Sequence, residues 1–208
     1  MTDYKFTQDW FSWAPPVWSQ LVPLLSGEPG KRNFLEIGSF EGRSMVWIAE
    51  NMMQDGDELY CVDTWDGGEE HSNGEMDGAE ARFDHNLVEV LTGRDVKIHK
   101  VKRTSVMQLA IMHSANVLRS ELEETAKVLD FIYIDGSHIA KDVMTDACMA
   151  WPLLKKGGFM VFDDYLWGDA RDILHRPKVA IDTFVDLFSE EVEMIHIGYQ
   201  LIVRKKGE

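Results

Sequence analysis

An alternation in the chain constrains its fold more than any other feature. Short apolar runs at Asn33–Ile37, Glu58–Val62, Val96–Val101, Leu129–Ile134 and Gly158–Phe162 are separated by amphipathic stretches of helical length. That rhythm dictates an α/β architecture with a mainly parallel sheet, because parallel neighbours need long crossovers and helices fill them. A last pair of runs, Glu191–Ile197 and Tyr199–Arg204, is separated by Gly198 alone. So short a connection admits only an antiparallel hairpin, which puts one antiparallel strand near a sheet edge.

Helices are expected at Ser44–Met53 and Glu75–Leu91. Ile139, Val143, Ala147, Ala150 and Leu154 recur at helical spacing, and Pro177 opens a further helix with Ile181, Phe184 and Phe188 inward. Trp10–Leu25 is rich in aromatics and reads as a helix after Pro15-Pro16. It either packs over a sheet edge or serves as a cap on the ligand cleft or a homodimer interface. The chain thus divides into an N-terminal aromatic segment, 1–30, and a ligand-binding domain, 31–208.

The 208 residues suit one domain with a full core. A formal charge of −15 argues against nucleic acid as a partner, since phosphate backbones demand basic patches. No apolar stretch approaches the roughly 20 residues of a membrane span, and the first residues lack a basic-then-apolar export pattern. Cys61 and Cys148 both lie in apolar segments and read as buried thiols of a reducing, cytoplasmic compartment.

Three carboxylates stand at the downstream ends of apolar runs: Asp135, and the adjacent Asp163 and Asp164. Carboxyl ends of parallel strands form the crevice where open α/β sheets bind ligands. Convergent carboxylates repel one another unless a cation or a shared proton intervenes, so the pattern predicts a metal site. Strand-end aspartates also cap helices, which is the competing account of Asp135 taken alone.

The first turn, Phe34-Leu-Glu-Ile-Gly-Ser-Phe-Glu-Gly-Arg-Ser44, joins a strand to a helix through Gly38 and Gly42. A dinucleotide fingerprint wants a third glycine where Phe40 stands. Glu36 and Glu41 flank the turn and would repel a pyrophosphate, while a cationic group would be attracted. Asp63 ends the second run, 63 − 42 = 21 positions after Gly42, near the ~20 expected of an acid that bonds ribose hydroxyls. A ribose, no phosphate, a sulfonium and an ammonium are together satisfied by S-adenosylmethionine.

Those stretches, with Cys61-Val-Asp-Thr-Trp-Asp-Gly-Gly68, Ile134-Asp-Gly-Ser-His138, Phe162-Asp-Asp164 and Gly198-Tyr-Gln-Leu-Ile-Val203, resemble class I S-adenosylmethionine-dependent methyltransferases. The likeness is greatest to the small metal-dependent O-methyltransferases related to macrolide-sugar and aminocoumarin-sugar enzymes. It implies a Rossmann-like sandwich, seven strands with the last antiparallel and helices on both faces. It implies cofactor contacts at Glu36, Gly38, Ser39, Gly42, Ser44, Asp63, Thr64, Trp65, Ser105 and Asp135. Glu36 and Gly38 would lie at the methionine end, Asp63 at the ribose, and Lys102-Arg-Thr-Ser105 along the adenine. It also implies a divalent metal, usually Mg²⁺, on Asp135, Asp163 and Asp164.

The chemistry expected is metal-assisted methylation of a small-molecule acceptor hydroxyl, diol-like or phenolic. The metal polarises a poor nucleophile and stabilises its developing charge. His138 is a candidate proton acceptor, since imidazole titrates near neutrality, and Asp135 is a second. The loop Trp65–Gly78 carries four glycines and many acids; Trp65 and His71 are its candidate ligand contacts, against the plainer account of a solvated loop. Rival readings are a non-catalytic adenosyl-cofactor-binding module, a nicotinamide-dependent oxidoreductase, and the same fold using its acids without metal.

Overall fold

The computed structural model describes residues 2–26, 30–68, 74, 76–122, 128–168 and 171–207. They form a seven-stranded sheet in the order β3-β2-β1-β4-β5-β7-β6, distributed over two compact units, Met1–Lys102 and Arg103–Glu208.

In the first unit β1 (Asn33–Ile37), β2 (Glu58–Asp63) and β3 (Lys97–Lys102) pair in parallel. Their crossovers carry α3 (Arg43–Asn51) and α4 (Ala79–Leu91). The N-terminal aromatics do not make one helix. They make two short ones, α1 (Pro15–Trp18) and α2 (Val22–Ser26). Pro23 cannot donate to the ladder that α1 began, so the helix stops and restarts with Pro23 in its first turn. Packing accounts for most of this segment. Trp18 is fully buried and meets Trp47 of α3 edge-on at 5.6 Å, and Phe11 packs against both.

In the second unit β4 (Leu129–Ile134) and β5 (Leu154–Phe162) are parallel neighbours. Every residue of β4 is buried, as its unbroken apolar run requires of a strand covered on both faces. The hairpin is present: β6 (Val192–Ile197) runs antiparallel to β7 (Leu201–Lys205), which also pairs antiparallel with β5. Helix α6 (Ala140–Ala150) is shorter than its periodicity suggested, because Pro152 ends it and Leu154 starts β5. Helix α7 (Lys178–Leu187) follows Pro177 and buries Ile181 and Phe184.

Helix α5 (Ser105–Glu121) was not anticipated from the sequence. Thr104 caps its first turn by accepting from the Met107 amide. Its apolar residues do not define one inward face: Met107, Ile111 and Leu118 are exposed. Cys61 is a buried thiol as expected, but Cys148 is exposed, since it falls on the outer face of α6. Among the described residues no helix is long and apolar enough to cross a membrane.

Candidate active site

The first unit holds the glycine turn. Gly38 (φ +85°) and Gly42 (φ +78°) both adopt the left-handed region, which costs glycine little. A Cβ on Gly42 would sit 2.7 Å from Met45 Cε and 2.9 Å from Phe83 Cδ2, so helix packing also demands glycine there. Asp63 fastens the turn. Its Oδ2 accepts from the amides of Ser39 (2.9 Å) and Phe40 (2.8 Å), and its Oδ1 from that of Trp65 (2.7 Å). Three acceptor positions of the carboxylate are thereby used by backbone, a role the ribose reading did not foresee.

Glu36 is fully buried, and burial pushes its carboxyl up to about 7. Ser39 donates to its Oε2 at 2.7 Å, and Ser44 and Cys61 also bond the carboxyl, holding it down somewhat against burial. Its Oε1 makes no hydrogen bond within geometric limits among the described residues. Glu41 behaves otherwise. It accepts from the Thr7 amide at 2.6 Å and pairs with Arg82, so its charge is internally neutralised. Of the two carboxylates that flank the turn, Glu41 is answered by Thr7 and Arg82, which only the tertiary fold brings to it.

Trp65 is buried with its indole N–H donating to the Phe40 carbonyl at 2.8 Å and its ring against Phe83. It acts as a staple of the turn. Thr64 accepts from the Asp66 amide at 3.2 Å. His71 lies outside the described residues.

The second unit gathers the acids. One ligand atom from each of Asp135, His138 and Asp164 lies within 4.8 Å of the others, and all three residues are partly exposed. His138 Nε2 meets Asp164 Oδ2 at 2.6 Å, and the Trp167 ring lies 4.2 Å from the imidazole. His138 precedes α6 rather than standing in its first turn. The Ser137 hydroxyl accepts from the Ile139 amide and donates to Asp142, which supports the helix start.

Asp163 is placed differently from its two partners in the sequence reading. It is buried, and its Oδ2 accepts from Gln200 Nε2 at 3.1 Å and from the Tyr133 hydroxyl. Its Oδ1 accepts from the Asp164 amide at 2.7 Å. Burial, and then the charge of Asp164, push its carboxyl up to about 6 against those bonds. The Tyr133 hydroxyl also lies 2.9 Å from Asp135 Oδ2. A phenol has one hydrogen, so Tyr133 donates to one of these two carboxylates at a time. The four acidic-site positions therefore separate into an accessible group, Asp135, His138 and Asp164, and a supporting Asp163 beneath it.

The accessible group fits a hard divalent cation. Two carboxylates supply oxygen, an imidazole adds nitrogen, and partial exposure leaves room for water or an acceptor's oxygens. Ser105, expected along the adenine, opens α5 and bonds the buried Asp146 of α6. Tyr133, Trp167, Tyr199 and Gln200 were missed as site residues. The signal was available for two of them in the Gly198-Tyr-Gln stretch, but nothing local said what it faced.

A methyltransferase-domain family profile matches residues 35–165. Among curated proteins none matches the chain in sequence. Among solved structures, an O-methyltransferase from Bacillus cereus in complex with SAH is 18% identical, covering 96% of this chain and 84% of that one, with a TM-score of 0.61. The O-methyltransferase NovP is 16% identical over 92% of this chain and 79% of its own, with a TM-score of 0.60. MycE, a methyltransferase of the mycinamycin pathway in complex with Mg, SAH and mycinamycin VI, is 13% identical with a TM-score of 0.59. This chain is matched over 96% of its length but spans only 51% of MycE. With a profile match across most of the chain, and a sheet and glycine turn of the corresponding kind, the chain belongs to the methyltransferase-domain family and is a class I S-adenosylmethionine-dependent methyltransferase.

Proposed function

We propose that the chain transfers the methyl group of S-adenosylmethionine to a hydroxyl of a small molecule, assisted by a divalent metal of the Mg²⁺ class. The observation that carries this reading is the meeting of Asp135, His138 and Asp164 ligand atoms within 4.8 Å. An adenosyl-binding module without catalysis has no need of such a group. Support also comes from the magnesium and SAH named for MycE.

Methyl transfer is an in-line displacement at the sulfonium carbon, so the protein's task is to position both partners and free a lone pair on the acceptor oxygen. Glu36, a fully buried carboxyl beside the glycine turn, suits the ammonium of the donor. Gly38 and Gly42 let the backbone approach it, and Asp63 keeps the turn in shape. When bound, the metal supplies Lewis acidity to an acceptor presenting neighbouring oxygens. Asp135 and Asp164 would hold it, with Asp163 fixing the direction of Asp164 through its amide. His138 takes the acceptor's proton at Nε2 once the acceptor displaces the His138–Asp164 contact. A cytoplasmic setting and a small-molecule partner belong to the same reading.

The test is a methylation assay with catechol and sugar-diol acceptors after chelation. Activity is expected to disappear with the metal and to return with Mg²⁺. Undiminished turnover in chelator defeats the metal assignment; S-adenosylhomocysteine binding with no turnover on any acceptor favours the binding-module reading.

A further inference from the structure

The β6–β7 turn carries a dipeptide, Tyr199-Gln200, that the chemistry above does not use. Each of its side chains reaches one of the two adjacent aspartates that end β5. The Tyr199 hydroxyl donates to Asp164 Oδ1 at 2.8 Å, and Gln200 Nε2 donates to Asp163 Oδ2 at 3.1 Å. We propose that Tyr199-Gln200 is a positioning clamp that holds Asp163 in its buried place and keeps the Asp164 carboxylate at the accessible site.

The need for a clamp is visible in the backbone. Asp164 has φ +54°, in the left-handed region, which aspartate enters more readily than most residues but less freely than glycine. Such a conformation persists when its surroundings over-determine it. Here they do. The Asp164 amide is held by Asp163 Oδ1, one carboxylate oxygen by Tyr199 and the other by His138. The turn itself is fastened to the same stretch, since the Tyr165 amide donates to the Tyr199 carbonyl at 2.9 Å.

Two neighbouring residues of the turn do two jobs. Gln200 is 1% exposed and serves the buried Asp163, while Tyr199 is 39% exposed and serves the accessible Asp164. Its hydroxyl is bonded to Asp164, so Tyr199 is a positioning residue that acts through Asp164. Supporting partners of this kind typically change metal affinity by about 10- to 100-fold when removed.

The consequence for the metal rests on the function proposed above; the consequence for Asp164 does not. The test therefore has two readouts on Tyr199→Phe, which removes one oxygen from a half-exposed ring. Mn²⁺ affinity, followed by electron paramagnetic resonance, is expected to fall about tenfold or more. S-adenosylhomocysteine affinity should stay within about twofold, as the glycine turn is untouched. Crystals of the variant should show Asp164 released from its left-handed conformation. Unchanged Mn²⁺ affinity with Asp164 still at its original φ overturns the clamp. If the parent protein takes up no Mn²⁺, the metal part of the functional proposal fails, and the conformation of Asp164 in the variant crystal alone decides the clamp.

Discussion

Two turns at strand ends, one after β1 and one after β5, solve the same geometric problem with opposite materials. Both send the chain through the left-handed region. The first does so at Gly38 and Gly42, where no Cβ resists, and then gathers its amides on Asp63. The second does so at Asp164, whose Cβ does resist, and holds it with bonds from His138 and Tyr199. A glycine turn enters the left-handed region at little steric cost, and here Asp63 then fastens it. An aspartate turn keeps its shape only while distant side chains hold it, and in return it aims a carboxylate. Phe40, also at positive φ (+44°), shows that even the first turn contains one residue held by its surroundings.

The largest effect that separates the two turns is expected at Gly42. Gly42→Ala meets Met45 and Phe83 inside contact distance and carries the left-handed strain as well. A stability loss of about 2–4 kcal/mol in urea unfolding is expected. A loss below about 0.5 kcal/mol, the level of an ordinary surface substitution, would mean that the turn tolerates side chains and that the contrast is wrong.

Next comes the charge of the first turn. Glu36 is pushed up to about 7 by burial, so its ionised fraction rises between pH 6 and 8. A ligand bearing an ammonium binds the ionised form, and S-adenosylhomocysteine affinity should rise by about tenfold over that interval. The unliganded fold moves the other way. Stability conferred by the raised carboxyl is full below its ordinary value near 4.5 and is lost as pH rises through about 7. Calorimetric titrations of the parent and of Glu36→Gln check both. A pH-dependent affinity that survives in Glu36→Gln assigns the titration elsewhere.

The smallest effect sharpens the second turn. Asp164→Gly and Asp164→Ala both delete the carboxylate, but only glycine accepts φ +54° without strain. The glycine variant should be the more stable by about 1 kcal/mol in thermal or urea unfolding. Equal stability would show that the backbone there relaxes at no cost, and that the clamp has nothing to resist.

Legibility followed the same division. The strands, the parallel pattern and the hairpin could be read from the chain, because burial on both faces writes unbroken apolar runs and a short connection leaves a single pairing. Helix α5 could not: Met107, Ile111 and Leu118 face outward, so its apolar residues do not trace an inner face. The N-terminal aromatics announced burial, but Pro23 divided their helix. In the candidate site, Asp135, Asp163 and Asp164 were expected from strand ends and His138 from its distance to Asp135, and the structure brings Asp135, His138 and Asp164 together. That Asp163 turns inward to Tyr133 and Gln200 had no local signature, since the three residues are separated by 30 and 37 positions.

What the sequence by itself determined is which residue types stand where backbone chemistry requires them: glycines at a tight turn, acids at strand ends, apolar runs in strands. These are short-range consequences of sterics and hydrophobic period. Tertiary structure decided which charges are answered and which are left available. Glu41 and Glu36 look alike in the chain, yet Thr7 and Arg82 reach only the first. Coulombic and hydrogen-bond partners are chosen by proximity in space, and only folding sets that proximity.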